Sequence, residues 1–118
     1  MNVQALAAPL LREAIVHNGM LILFVDNLVD PAHGEVQSYI NVSKGDKITF
    51  KVSTSTGNEY SQELAVESPA DAPFVFKIPK KIFAEKLVPD ATAKLSYSVQ
   101  TSSGNTAESP ELRVYLKL

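Results

Sequence analysis

Residues 91–118 read ATAKLSYSVQTSSGNTAESPELRVYLKL. Leu95, Tyr97 and Val99 alternate with Lys94, Ser96, Ser98 and Gln100; Ser102-Ser103-Gly104-Asn105 offers a turn; then Leu112, Val114, Leu116 and Leu118 alternate with Glu111, Arg113, Tyr115 and Lys117. Alternation with a period of two puts one set of side chains on a dry face and the other in water, the pattern of half-buried antiparallel strands. The stretch is therefore expected to form a hairpin and to set the fold class.

Working back from it, Val88-Pro89-Asp90 breaks the chain after Lys80–Lys86, a segment able to make one helical turn whose Ile82, Phe83 and the following Leu87 would plug the end of a sandwich. Phe74, Phe76 and Ile78 form an inward set, and Pro79 stops that strand by removing a ladder donor. Tyr60–Glu67 alternates more weakly, after a polar loop at Thr54–Asn58. In Lys47–Ser53, Ile48, Phe50 and Val52 oppose Lys47, Thr49 and Lys51, following a tight turn at Lys44-Gly45-Asp46. Val36, Ser38, Ile40 and Val42 oppose Gln37, Tyr39 and Asn41 in an imperfect strand pattern, and Pro31–Gly34 reads as a loop. Met20–Val25 is apolar at every position, which suggests burial on both sides, and Leu10–Val16 is a first extended piece ended by a His17-Asn18-Gly19 turn.

About seven to eight short strands with turn signals at roughly ten-residue intervals predict an all-β, immunoglobulin-like sandwich, with a short helical turn before the penultimate strand. A jelly roll is the structural rival. At 118 residues with 45% hydrophobic and 20% charged positions, one domain is expected over residues 10–118, with residues 1–9 as an N-terminal segment or linker. Asn2 and Gln4 interrupt the apolar start and no basic residue precedes it, so no signal peptide is visible. No apolar run reaches the roughly 18 residues of a membrane span. A net charge of −2 provides no overall basic field for nucleic acid, and the absence of cysteine leaves the fold to packing alone.

Several segments resemble the immunoglobulin-like repeat domains of large bacterial surface and secreted adhesin-like proteins. Tyr39-Ile40-Asn41-Val42-Ser43-Lys44-Gly45-Asp46-Lys47-Ile48 is similar to their Tyr to Gly-Asp segment, and Pro73–Pro79, Leu95–Val99 and Ser109–Val114 are similar to later strands. Phe50 stands where such repeats often carry Trp, and Asn41-Val42 replaces a Gly-Met pair. The resemblance implies a spacer or ligand-contacting bead on a bacterial surface or in a secreted protein, with neighbouring Ig-like domains or a protein or glycan surface ligand as partners. It implies a monomer in isolation, with no enzyme activity and no cofactor. There is no internal repeat, so the chain is expected to be a single bead, a standalone homologue or an excised piece, and a final strand running to Leu118 is what a repeat boundary would look like.

Catalysis finds little support in the residues. His17 and His33 are the only side chains able to act as a base near neutral pH, and neither accompanies a nucleophile motif. No catalytic or cofactor-binding residue is assigned. Asp26, Asp30 and Glu35, with Asn27 and His33, form the one weak metal candidate; calcium favours clustered oxygen ligands, but the EF-hand order is absent, and a solvated loop is the simpler expectation. For ligand contact the polar loop 54–60 is the candidate, through Asn58 and Tyr60, because Tyr offers contact area at low entropic cost while Asn adapts its hydrogen bonds. The same composition also makes a soluble hairpin tip. Two functions remain, a structural and interaction module or a carbohydrate-binding sandwich attached to an enzyme; with 8% aromatics and no Trp, the second has few stacking platforms.

If the final hairpin carries core residues, Val114→Asp should abolish cooperative melting, since an unpaired buried charge costs several kcal/mol against a total stability of about 5–15 kcal/mol. Lys94→Glu and Ser98→Ala, on the wet face, should shift stability by no more than about 0.5 kcal/mol in urea titrations.

Overall fold

The computed structural model describes residues 6–39 and 41–117. It is an immunoglobulin-like sandwich whose segments are β1 (Leu10–Leu11), β2 (Ile15–His17), β3 (Met20–Phe24), β4 (Ala32–Val36), β5 (Lys47–Thr54), β6 (Glu59–Ala65), β7 (Phe74–Ile78), β8 (Thr92–Gln100), β9 (Thr106–Glu108) and β10 (Leu112–Lys117). One sheet has the order β1-β4-β7 and the other β2-β3-β10-β8-β5-β6, with β9 also on β8. The chain passes back and forth between the two sheets. Pairing is antiparallel except between β3 and β10, which run parallel.

The apolar alternation of β5, β7, β8 and β10 becomes the inner face. Ile48, Phe50 and Val52 meet Phe74, Phe76 and Ile78 across the interior, with Ala93, Leu95, Tyr97, Val99, Val114 and Leu116 alongside, all buried in one cluster. Phe50 and Phe76 stack with ring centroids 5.0 Å apart. α1 (Lys80–Ala84) lies between β7 and β8, where the chain changes sheets, and buries Phe83 with Ile82 and Leu87 packed against the core. This is the end plug that its apolar residues predict.

The expected terminal hairpin contains a bulge. Between the Ser98–Glu108 pair and the Leu95–Leu112 pair, β8 has two intervening residues and its partner has three, Ser109 to Glu111. Tyr97 N donates to Ser109 Oγ at 3.0 Å and Ser109 N donates to Tyr97 O at 2.9 Å, which holds the chain as it bends at Pro110. A Pro has no ladder donor and suits a bulge. The extra residue moves the inward parity from Ala107 to Leu112, Val114 and Leu116. Ten strand segments are present among the described residues, and with β9 and β10 taken as one bulged strand, β8 is penultimate.

Two expectations need correction. Leu10–Val16 is split at Arg12–Ala14, so that β1 joins one sheet and β2 the other. The strand expected over 36–42 lies earlier: residues 37–39 are irregular, Ile40 and Leu118 fall outside the described residues, and Ala32–Val36, three of whose five residues were read as a loop, is the middle strand of its sheet. Its inward residues are Ala32, Gly34 and Val36, too small to register as an apolar face. Of the segment set apart as linker, Leu6 and Pro9 are buried and Ala7 O accepts a hydrogen bond from Tyr97 Oη at 2.6 Å.

The small inward face of β4 has a mechanical reason. A Cβ placed on Gly34 would lie 2.5 Å from Phe50 Cζ, inside contact distance, so the Phe50 ring occupies the space that any other residue would fill. Gly34→Ala should therefore destabilise the domain by about 1–3 kcal/mol through overpacking, and Phe50→Ala by about 3–5 kcal/mol through loss of the ring. Urea titration measures both, and an unchanged midpoint for Gly34→Ala would contradict the close contact.

Candidate functional site

The 54–60 loop is a tight hairpin connection between β5 and β6. Thr54 N donates to Asn58 O at 2.9 Å, Asn58 N donates to Thr54 Oγ1 at 3.0 Å, and Gly57, at φ 98°, takes the left-handed position. The two ligand-contact candidates of this loop both point into the fold. Asn58 Nδ2 donates to Ile82 O at 3.0 Å and to Glu85 O at 2.8 Å, serving carbonyls at the end of α1 that have no partner within the helix. Tyr60 lies half-buried on the inner side opposite Val52; its hydroxyl donates to Lys77 O at 2.7 Å and sits 2.6 Å from the Gln62 side-chain amide. It thereby bridges the edge strand β6 to β7 of the facing sheet.

The acidic candidates are dispersed in the same way. Asp26 is exposed on a 3-10 turn, Val25–Asn27. Asp30 Oδ1 accepts from Lys80 N at 2.8 Å and so satisfies the first free N–H of α1. Glu35 Oε2 accepts from Arg12 Nε and Nη2 at 2.8 and 2.6 Å. Among the described residues no three His, Cys, Asp or Glu side chains converge as a metal site would need. His33, expected in a loop, sits on β4 with Nδ1 2.6 Å from Glu13 Oε2, while its backbone N donates to Glu13 Oε1 at 2.8 Å. His17 is exposed at the end of β2. These pairs fasten the β1–β2 corner onto β4.

Asp46 was legible only as a turn residue, yet it is the most buried charged side chain, 1% exposed. Its Oδ2 accepts from Tyr39 Oη at 2.8 Å and from Ser43 N at 3.0 Å, and its Oδ1 accepts from Ser102 N at 3.0 Å. Three donors offset the loss of water around the carboxylate, and they tie the 39–46 loop to the turn after β8. Gly45, at φ 94°, makes the turn and donates to Val66 O at 2.9 Å. An acid directly after a turn Gly, with a Tyr seven residues before it, was the available signal. Burial pushes the Tyr39 phenol well above its ordinary value of 10.0, and the hydrogen bond to Asp46 and that carboxylate's charge push it further. Burial also raises the Tyr60 and Tyr97 phenols.

Concave surface lies elsewhere. A groove of about 560 Å³ runs along β5, β6 and β8, lined by Lys51, Ser53, Ser61, Lys94 and Ser96 together with Glu59, Glu111, Val52 and the sequence candidate Tyr60. It adjoins a smaller pocket of about 280 Å³ that includes Ser53, Ser55, Thr92, Lys94 and Arg113. A more apolar groove of about 510 Å³ is bounded by Ile15, Phe24, Leu28 and Val29, with Glu13 and His33 at one side. Comparison with family models, curated proteins and solved structures finds no match for this chain.

The raised phenols give a pH dependence with a definite sign. A group whose value rises on folding contributes fully below its unfolded value and loses that contribution as pH climbs toward the folded one. Stability should thus fall as pH rises above about 10. Tyr39→Phe should cost about 1–3 kcal/mol at neutral pH, because Asp46 loses a donor, and should make the alkaline decline shallower. Urea titrations from pH 7 to 11 would measure both; parallel decline of variant and parent would contradict the assignment.

Proposed function

We propose that this chain is a non-catalytic structural and interaction module, an Ig-like bead of a bacterial surface or secreted adhesin-like protein that serves as a spacer or contacts a ligand. The observation that carries the reading is the path of the chain through the sandwich. Ala7 is held at Tyr97, toward the pole formed by the Gly45-Asp46 and 101–105 turns, whereas Leu116 N donates to Ala91 O at 2.9 Å, just ahead of the first residue of β8. Six residues of extended chain separate those two anchor points, about 20 Å. The described chain thus enters beside Tyr97, just past the middle of β8, and leaves alongside its first residue, a displacement along the strand direction that would favour an end-to-end arrangement of successive copies. The disposition of polar side chains also supports it, since Asp30, Glu35, Asp46, Asn58 and Tyr60 are all spent on closing the fold.

A head-to-tail tandem of two copies, measured by small-angle X-ray scattering, should have a maximum dimension about twice the 43 Å long axis of one copy, with a single copy monomeric in sedimentation. A tandem no longer than a side-by-side pair would overturn the spacer reading.

A further inference from the structure

We infer that the outer face of the β5–β8–β10 sheet holds a binding site for a sulfated or phosphorylated saccharide, with the ester oxyanion seated between Lys94 and Arg113. The register places Arg113 directly opposite Lys94 on adjacent strands, both exposed, so their Cβ atoms stand about 5 Å apart. Like charges in that position repel, and a sheet gains by separating them. Neither forms an ion pair; the ion pairs among the described residues are Arg12–Glu35 and His33–Glu13. The pocket at this point is walled by the same two cations and by Ser53, Ser55 and Thr92. A tetrahedral oxyanion answers both features. It accepts from a planar guanidinium and an ammonium at once, leaving further oxygens for the hydroxyls.

The adjoining groove argues for a sugar as the carrier of that anion. It shares Ser53 and Lys94 with the pocket and continues past Lys51, Ser61 and Ser96 toward Glu59 and Glu111. Hydroxyls, one ammonium and two carboxylates suit the donors and acceptors of a saccharide ring. A phosphorylated peptide finds less at the cation pair, because β5 and β8 are interior strands whose backbone groups are paired on both sides, and the edge strand β6, which could receive an added strand, is separated from Lys94 and Arg113 by β5. Glu111, two residues from Arg113 and on the same face of the chain, also disfavours an anion, so its removal should tighten binding. The site is independent of the spacer reading, since it concerns the sheet face and not the poles.

The test is a titration of the ¹⁵N-labelled chain at low salt with a heparin-derived tetrasaccharide, its desulfated counterpart, inorganic sulfate, inorganic phosphate and a phosphoserine peptide. The sulfated sugar should shift the amides of residues 53–55, 92–96 and 113 saturably, the desulfated one should not, and the inorganic anions should shift the same amides only at much higher concentration. Lys94→Gln and Arg113→Gln should each weaken the sulfated sugar about ten-fold, while melting as the parent does, and Glu111→Gln should strengthen it. No saturable shift, variants that bind as the parent does, or tighter binding of the phosphopeptide would overturn the proposal. Inorganic sulfate or phosphate binding as tightly as the sugar would overturn the saccharide assignment.

Discussion

The fold depends on one contact between the sheets, the Phe50 ring lying against the backbone of Gly34. Sandwich layers pack about 10 Å apart, a spacing set by what interdigitates between them. Here an aromatic ring from β5 fills the space that β4 leaves empty, and it stacks on Phe76 of β7, the residue paired with Gly34. Removing bulk from one strand and adding it to the other keeps the layers together without a disulfide, which this chain cannot form. The rest of the core, from Ile48 through Val99 and Val114, is arranged around that ring.

Around this apolar centre, polar side chains close the ends. Asp46 gathers donors from Tyr39, Ser43 and Ser102 at one pole. At the other, the single turn of α1 is too short to satisfy its own backbone, so Asp30 accepts from its first N–H and Asn58 donates to its last carbonyls. Tyr60 links β6 to the facing sheet through Lys77 O. The residue types that suggest recognition in a loop are, in this domain, the ones that anchor connections to the core. Free surface is left on the outer sheet face, where hydroxyls and cations line shallow grooves.

The strands legible from the chain were those with large residues alternating. Phe50, Phe76, Leu95, Tyr97 and Val114 each announce an inner face, and all are buried. Strand β4 was not legible, because its inward residues Ala32, Gly34 and Val36 are small, and Gly34 owes its size to Phe50, sixteen positions away. The roles of Asn58 and Tyr60 were hidden for a similar reason, since their partners Ile82, Glu85 and Lys77 lie 17 to 27 residues along the chain. Composition shows what a loop can contact; it does not show which distant carbonyl lies beside it.

The sequence by itself determined the all-β class, the strands of the larger apolar residues, the helical plug after Pro79 and the outward placing of Lys94 and Arg113. Those follow from local periodicity and from proline's missing donor, which act over a few residues. Only the tertiary structure decided which outward residues meet. The terminal pair takes up one extra residue at Pro110, and that shift sets Arg113 opposite Lys94 while Val114 and Leu116 stay in the core. A register is a relation between two strands, fixed by the bulge and by the core it must fill, so neither strand carries it alone.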